Sequence, residues 1–158
     1  FLFSIVSGIG SSTYASETQL GHHLYDLVGV PYDAFATLNE SAKGKGASCI
    51  SAVIYGLRKM GYACGDYNFR VYRNHFSSLS TPLELNKTRL DHKGNILFSR
   101  DHFAAIYSDE NSNGVIDGDD LIIHSYYKPV RVERLSNWLE EDPMGGVRVV
   151  DSHDFSCP

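Results

Sequence analysis

One segment constrains this chain more than any other: residues 101–125, DHFAAIYSDENSNGVIDGDDLIIHS. Its flanks, HFAAIYS (102–108) and DLIIHSYY (120–127), are strand-like runs rich in β-branched and aromatic residues. Between them lies an acidic stretch with Asn and Gly, which suits the tip of a hairpin. Joined in that way, the two runs come into register, and each brings one histidine to the sheet: His102 and His124. An antiparallel sheet is therefore part of the fold.

The tip carries a pattern of its own. Counted from Asp109, side-chain oxygens fall at the first (Asp109), third (Asn111) and fifth (Asn113) positions. Gly114 allows a sharp turn at six, Val115 offers a backbone carbonyl at seven, and Ile116 is the apolar eighth residue. Asp117 stands at nine and Asp120 at twelve. An oxygen-only set of this kind suits a hard cation of calcium's size. The loop resembles dockerin-type calcium loops, which also close on Asp rather than Glu, with Leu121 matching the residue that follows. The expectation is a structural Ca2+ that rigidifies the turn between the two histidine strands, bound weakly because two ligands are neutral Asn. The competing reading is a solvated acidic turn.

Elsewhere the periodicity alternates between two kinds. Apolar residues at Leu20, Leu24, Leu27 and Val28 predict a helix over 19–30, ended by Gly29 and Pro31. Ile50, Val53, Ile54, Leu57 and Met60 predict a second over 49–61, with Gly61 at its C-cap. Residues 82–90 suggest a short helix, and Trp138 is expected to pack a C-terminal helix on the sheet. Strand-like runs cover 95–99, 102–108, 120–127, 129–135 and 146–151. Helices lead and an antiparallel meander of about five strands follows. The class is α+β, in a single domain spanning residues 1–158.

Composition narrows the setting. At 42% hydrophobic and 21% charged residues the chain is an ordinary globular one, and its formal charge of −5 argues against nucleic acid or an anionic membrane as main partner. No apolar run reaches the ~20 residues of a membrane span. A monomer is expected. Residues 1–18 open apolar and pass through small residues to Ala15; they fit either the remnant of an export signal or an ordered segment packed on the domain. Three cysteines in an exported chain imply one bridge and one free thiol. A Cys64–Cys157 bridge anchors the C-terminal tail and leaves Cys49 free; the alternative is three reduced thiols in the cytosol. Without C-x-x-C spacing, zinc is not expected. The His22–His23 pair diverges in direction on a helix and reads as surface.

Cys49 opens the second predicted helix, with Ser48 placed to cap it. Unpaired N–H groups at a helix start favour a thiolate. Such a cysteine becomes a nucleophile if a histidine reaches its sulfur and a third polar group orients that histidine. The structural alternative is a buried cysteine that only packs.

The order GASCISAVIYGLRKMGY, KGNILFSRDHFAAIY, LIIHS resembles the NlpC-type cell-wall peptidases, compact papain-like cysteine hydrolases. Upstream, LVGVPYDAF is similar to the family's LGxPYxWGG stretch. The likeness runs from Leu20 to about Leu135. It implies a papain-like fold with Cys49 as nucleophile, His102 as base, His124 as the residue orienting that base, and Tyr32 and Ser48 beside the substrate. This chain has Ser48 where the family usually has Asp, and DAFATLNESAKG replaces the glycine-rich turn. The resemblance implies a secreted or periplasmic hydrolase of amide bonds in peptidoglycan stem peptides, without an organic cofactor. Wall remodelling and an interbacterial lytic toxin, the latter with an immunity partner, are both compatible settings. Other readings are a non-catalytic calcium-stabilised binding module, or a deamidase or acyltransferase on the same scaffold.

Overall fold

The computed structural model describes residues 16–66, 68–141 and 146–158; the expectations for residues 1–15 lie outside them. Residues 16–18 belong to the domain. Ser16–Glu17 form β1, paired with the end of β4 (Phe103–Asp109), and Thr18 caps α1 (Gln19–Tyr25) through a bond from the Gly21 N–H. This helix stops well short of residue 30. Gly29 (φ 87°) turns the chain so that its N–H donates to Val130 O and Val30 then receives the return bond, Val130 N to Val30 O. A backbone bridge to the sheet's far end thus replaces the last predicted turn.

The second predicted helix is α3 (Cys49–Lys59), and it starts where the sequence suggests. Ser48 and Ser51 form a reciprocal capping box, and Cys49, Val53, Ile54 and Leu57 are buried. Two helices went unread in the sequence. Thr37 and Glu40 cap α2 (Leu38–Ala42), and Asn68 caps α4 (Phe69–Leu79), which buries only Tyr72 and Phe76, one turn apart. Residues 82–90 are not helical: Thr81–Pro82 make the short edge strand β2, and turns follow.

All five predicted strands are present: β3 (Asn95–Phe98), β4, β5 (Leu121–His124), β6 (Arg131–Arg134) and β7 (Arg148–Asp151). Together with β1 and β2 they form a mixed α/β fold around an antiparallel sheet, seven-stranded among the described residues. The order β2-β7-β3-β4-β5-β6 corrects the simple meander. Strands β3 to β6 follow one another, whereas β7 returns to the other side of β3, pairing Val150 with Ile96.

Alternate side chains serve two cores. Ile96, Phe98, Phe103, Ala105, Ile123 and Val150 face α1, α3 and α4; Leu97, Ala104, Ile106, Ile122 and Val149 face Leu135 and Trp138 of α5 (Leu135–Glu141), with Ile116 and Leu90. Burial on both sides explains why β3 reads as an unbroken apolar run. Cys64 and Cys157 are disulfide-linked, tying the segment after α3 to the C-terminal tail, where His75 Nε2 also meets the Ser156 carbonyl at 3.0 Å. Among the described residues no helix is long and apolar enough to cross a membrane.

The first core depends on the close approach of α1 to β4. A Cβ on Gly21 would lie 2.7 Å from the Tyr107 Cα, a backbone atom that cannot swing away. Gly21→Ala is expected to destabilise the fold by ~2 kcal/mol, and denaturant titration against the wild type measures it.

Candidate functional site

The capping box at Ser48 aims the first turn of α3 into a cleft of about 580 Å3, with Cys49 on its floor. Tyr32, Phe35, Ser48, Asp66, Phe69, Asp101 and Tyr126 contribute to its walls. Ser48 lines the cleft, and its Oγ accepts the Ser51 N–H at 3.1 Å, as a cap. Tyr32 is held beside the nucleophile candidate by backbone bonds, Asp33 N to Ala47 O (3.0 Å) and Ala47 N to Pro31 O (2.9 Å). Burial first, and then the nearness of Cys49, push its phenol pKa upward.

Cys49 is the one free cysteine among the described residues, and it is 6% exposed. Burial raises its thiol to about 11, although the N–H groups of Phe103, Ile50 and Cys49 itself point the opposite way. The helix start therefore does not win, and the resting group is a thiol at neutral pH. The Phe103 amide also fixes the sulfur's place: it lies against the first residue of β4, next in sequence to His102.

His102 sits just before β4 and is buried. Its Nε2 is 2.6 Å from His124 Nδ1 at the end of β5. The edge of Trp138 closes over the His102 ring at 5.4 Å between centroids, and Tyr126 lies at 4.7 Å. Next to His124, the Ser125 hydroxyl donates to Ala47 O at 3.0 Å, so β5 is tied directly to the loop that leads into Cys49. Of the sequence-predicted residues, Cys49, Tyr32 and Ser48 line the cleft, whereas His102 and His124 are not among its walls; His102 lies behind Tyr126, which is.

Two further residues were missed. Glu133 on β6 hydrogen-bonds His124 Nε2, and Arg131 Nη2 pairs with the same carboxylate oxygen at 3.2 Å. Burial, with a smaller push from Arg131, holds the His124 imidazole down to about 3, so the ring is neutral. Because Arg131 and Glu133 are themselves an ion pair, the ring faces little net charge. The signal for Glu133 is the PVRVERL alternation, which puts Arg131 and Glu133 on one face of a strand, but the partner strand's register is needed to use it.

The calcium-like loop is also gathered. Asp109, Asp117 and Asp120 are buried, and no lysine, arginine or histidine pairs with them among the described residues. Burial and the charges of Asp117 and Asp109 raise Asp120 to about 6. The loop bonds to itself: Asn113 and Gly114 N–H groups donate to Asp109, the Asn111 and Asn113 amides to Asp117, and Asp117 N–H to Asp120. Val115 bridges to Arg89. Among the described residues no group of three or more His, Cys, Asp or Glu is arranged to hold a metal ion.

No protein-family model matches the chain, and no curated protein matches it at a significant level.

The state of the sulfur is directly measurable. Iodoacetamide is expected to label Cys49 alone in the oxidised protein, slowly at pH 7 and about tenfold faster per pH unit up to pH ~10. A rate that levels off below pH 8, read by mass spectrometry of the labelled peptide, contradicts a thiol held high by burial.

Proposed function

We propose that the protein is a cysteine hydrolase acting on amide bonds. The observation that carries this reading is a lone free thiol on the floor of a cleft, against the backbone next to a buried histidine that a second histidine holds in place. In this reading His102 takes the Cys49 proton as the sulfur attacks the carbonyl carbon, and N–H groups at the start of α3 stabilise the oxyanion. His102 then returns the proton to the departing amine, and water, activated by the same ring, releases the acyl group from sulfur. A thiol that rests protonated needs such a base at every turnover. His124 orients His102 rather than exchanging protons with substrate.

The particular substrate we infer is the stem peptide of peptidoglycan, on the strength of the NlpC-like order of motifs, with Tyr32 beside the nucleophile. The Cys64–Cys157 bridge supports an oxidising, exported setting, as either a wall-remodelling enzyme or a lytic toxin with an immunity partner. One observation favours a second reading. The raised thiol pKa also suits a binding module in which Cys49 only packs.

Digestion of purified muropeptides separates the two. Wild type is expected to cleave an amide bond; Cys49→Ala and His102→Ala lose turnover by at least ~100-fold, and His124→Ala loses less. Intact muropeptides with wild type, analysed by mass spectrometry, leave the binding-module reading.

The loop between the histidine strands is proposed to take a structural Ca2+ through Asp109, Asn111, Asn113, the Val115 carbonyl, Asp117 and Asp120. Support comes from its three buried carboxylates without a basic partner among the described residues. A bound cation supplies the missing countercharge and stiffens the hairpin. At ~100 times its Kd the ion adds ~2.7 kcal/mol, a shift of a few degrees in Tm. Asp109→Ala with Asp120→Ala is expected to erase that shift, and a wild-type Tm indifferent to EGTA in millimolar calcium refutes the site.

A further inference from the structure

We propose that Glu133 is a positioning residue that decides which nitrogen of His102 is the base. The inference deepens the hydrolase reading, but its structural half stands on hydrogen-bond geometry alone.

The argument runs from the far end of a chain of three side chains. An ionised carboxylate only accepts hydrogen bonds, so the Glu133 contact requires His124 to donate from Nε2. Arg131 Nη2 shares the same oxygen at 3.2 Å, as the ion-pair partner of that carboxylate. His124 is neutral, since it is buried and faces a compensated ion pair, so with its proton on Nε2 its Nδ1 carries only a lone pair. Across the 2.6 Å contact that follows, His102 Nε2 must therefore be the donor. A neutral His102 with its proton on Nε2 has its lone pair on Nδ1. That is the nitrogen not engaged by His124, and in the hydrolase reading it is the one that receives the thiol proton.

Remove the carboxylate and the chain can run backwards. His124 is then free to carry its proton on Nδ1 and donate it to His102 Nε2, which places the His102 proton on Nδ1. In that tautomer the ring's base faces away from the work. The two histidines are equally well hydrogen-bonded in either direction, so their own contact cannot choose, and the carboxylate at Nε2 of His124 favours one direction. Among the described residues, the groups that face His124 include His102 at the head of β4, Arg131 and Glu133 on β6, and the Trp138 ring from α5. Among these, Glu133 is the acceptor.

The strand register makes the contact possible. His124 pairs with Arg131 and Ile122 with Glu133, so all four side chains share one face, and Glu133 is the diagonal neighbour of His124.

Long-range 15N–1H spectra of histidine-labelled protein test the proposal at neutral pH. The wild type is expected to show His102 and His124 both protonated on Nε2. In Glu133→Ala the His102 population shifts toward Nδ1–H, and kcat on muropeptides falls by about 100-fold or more while Tm serves as the check on folding. Glu133→Gln keeps an oxygen that accepts from Nε2–H, and is expected to retain the wild-type tautomers and most of the rate. Finding His102 protonated on Nδ1 in the wild type overturns the proposal, and so do unchanged tautomers in a folded Glu133→Ala. If the wild type cleaves no muropeptide, the hydrolase reading fails, and the spectra still decide the tautomer. If Glu133→Ala does not fold, the wild-type spectrum decides it unaided.

Discussion

The register between β4 and β5 is the constraint on which the rest depends. Ala105 opposes Ile123 and Ile106 opposes Ile122, which places His124 opposite Ala104 and two residues diagonal to His102. In a sheet, side chains alternate faces, so a slip of one residue turns His124 into the helix-side core and buries Ile123 against Trp138 instead. The apolar cost of that slip falls on both layers at once, because both faces of these strands are covered. The register shift between Ile106 and Ser108 confines the irregularity to the end nearest the acidic loop, away from the histidines.

Much of this could be read from residues alone. The start of α3 at Cys49 follows from Ser48 and the apolar stripe behind it, and five strand positions follow from period and composition. What failed to show is what depends on partners far away in sequence. α4 buries Tyr72 and Phe76 and half-buries Phe69 and Leu79 at its two ends, with arginine, asparagine, histidine and serine between them that make the stretch read as polar. α1 was overextended because nothing local reports that Val30 must bond Val130 across the fold. The return of β7 to β3, and with it the departure from a meander, has no local signature either. Glu133 was hidden for the same reason: its partner is set by register, not by spacing in its own strand.

The buried site also shows two physical effects pulling against each other. A helix start draws charge onto sulfur by fractions of a kcal/mol up to ~2 kcal/mol, whereas desolvation of a buried anion can shift a pKa by several units. At Cys49 desolvation prevails. The motif suggested an anion at rest, and the fold instead provides a neutral thiol, with the His124 ring neutral as well. Neutral groups are cheap to bury, which lets the domain keep this chain of polar side chains under Trp138 without an isolated charge in its core.

The staple between Cys64 and Cys157 closes a loop spanning 93 residues, which includes every strand from β2 to β7. Constraining an unfolded chain over that distance is worth ~4.7 kcal/mol in the loop-entropy picture. It also lies at the cleft's margin, since Asp66, Asn68 and Phe69 follow Cys64 within a few residues. In the proposed hydrolase, sulfur chemistry therefore has two opposed requirements: Cys49 must stay reduced, and Cys64 and Cys157 must stay oxidised. A strong reductant protects the first and undoes the second, so the protein is suited to a redox environment with a lower and an upper bound.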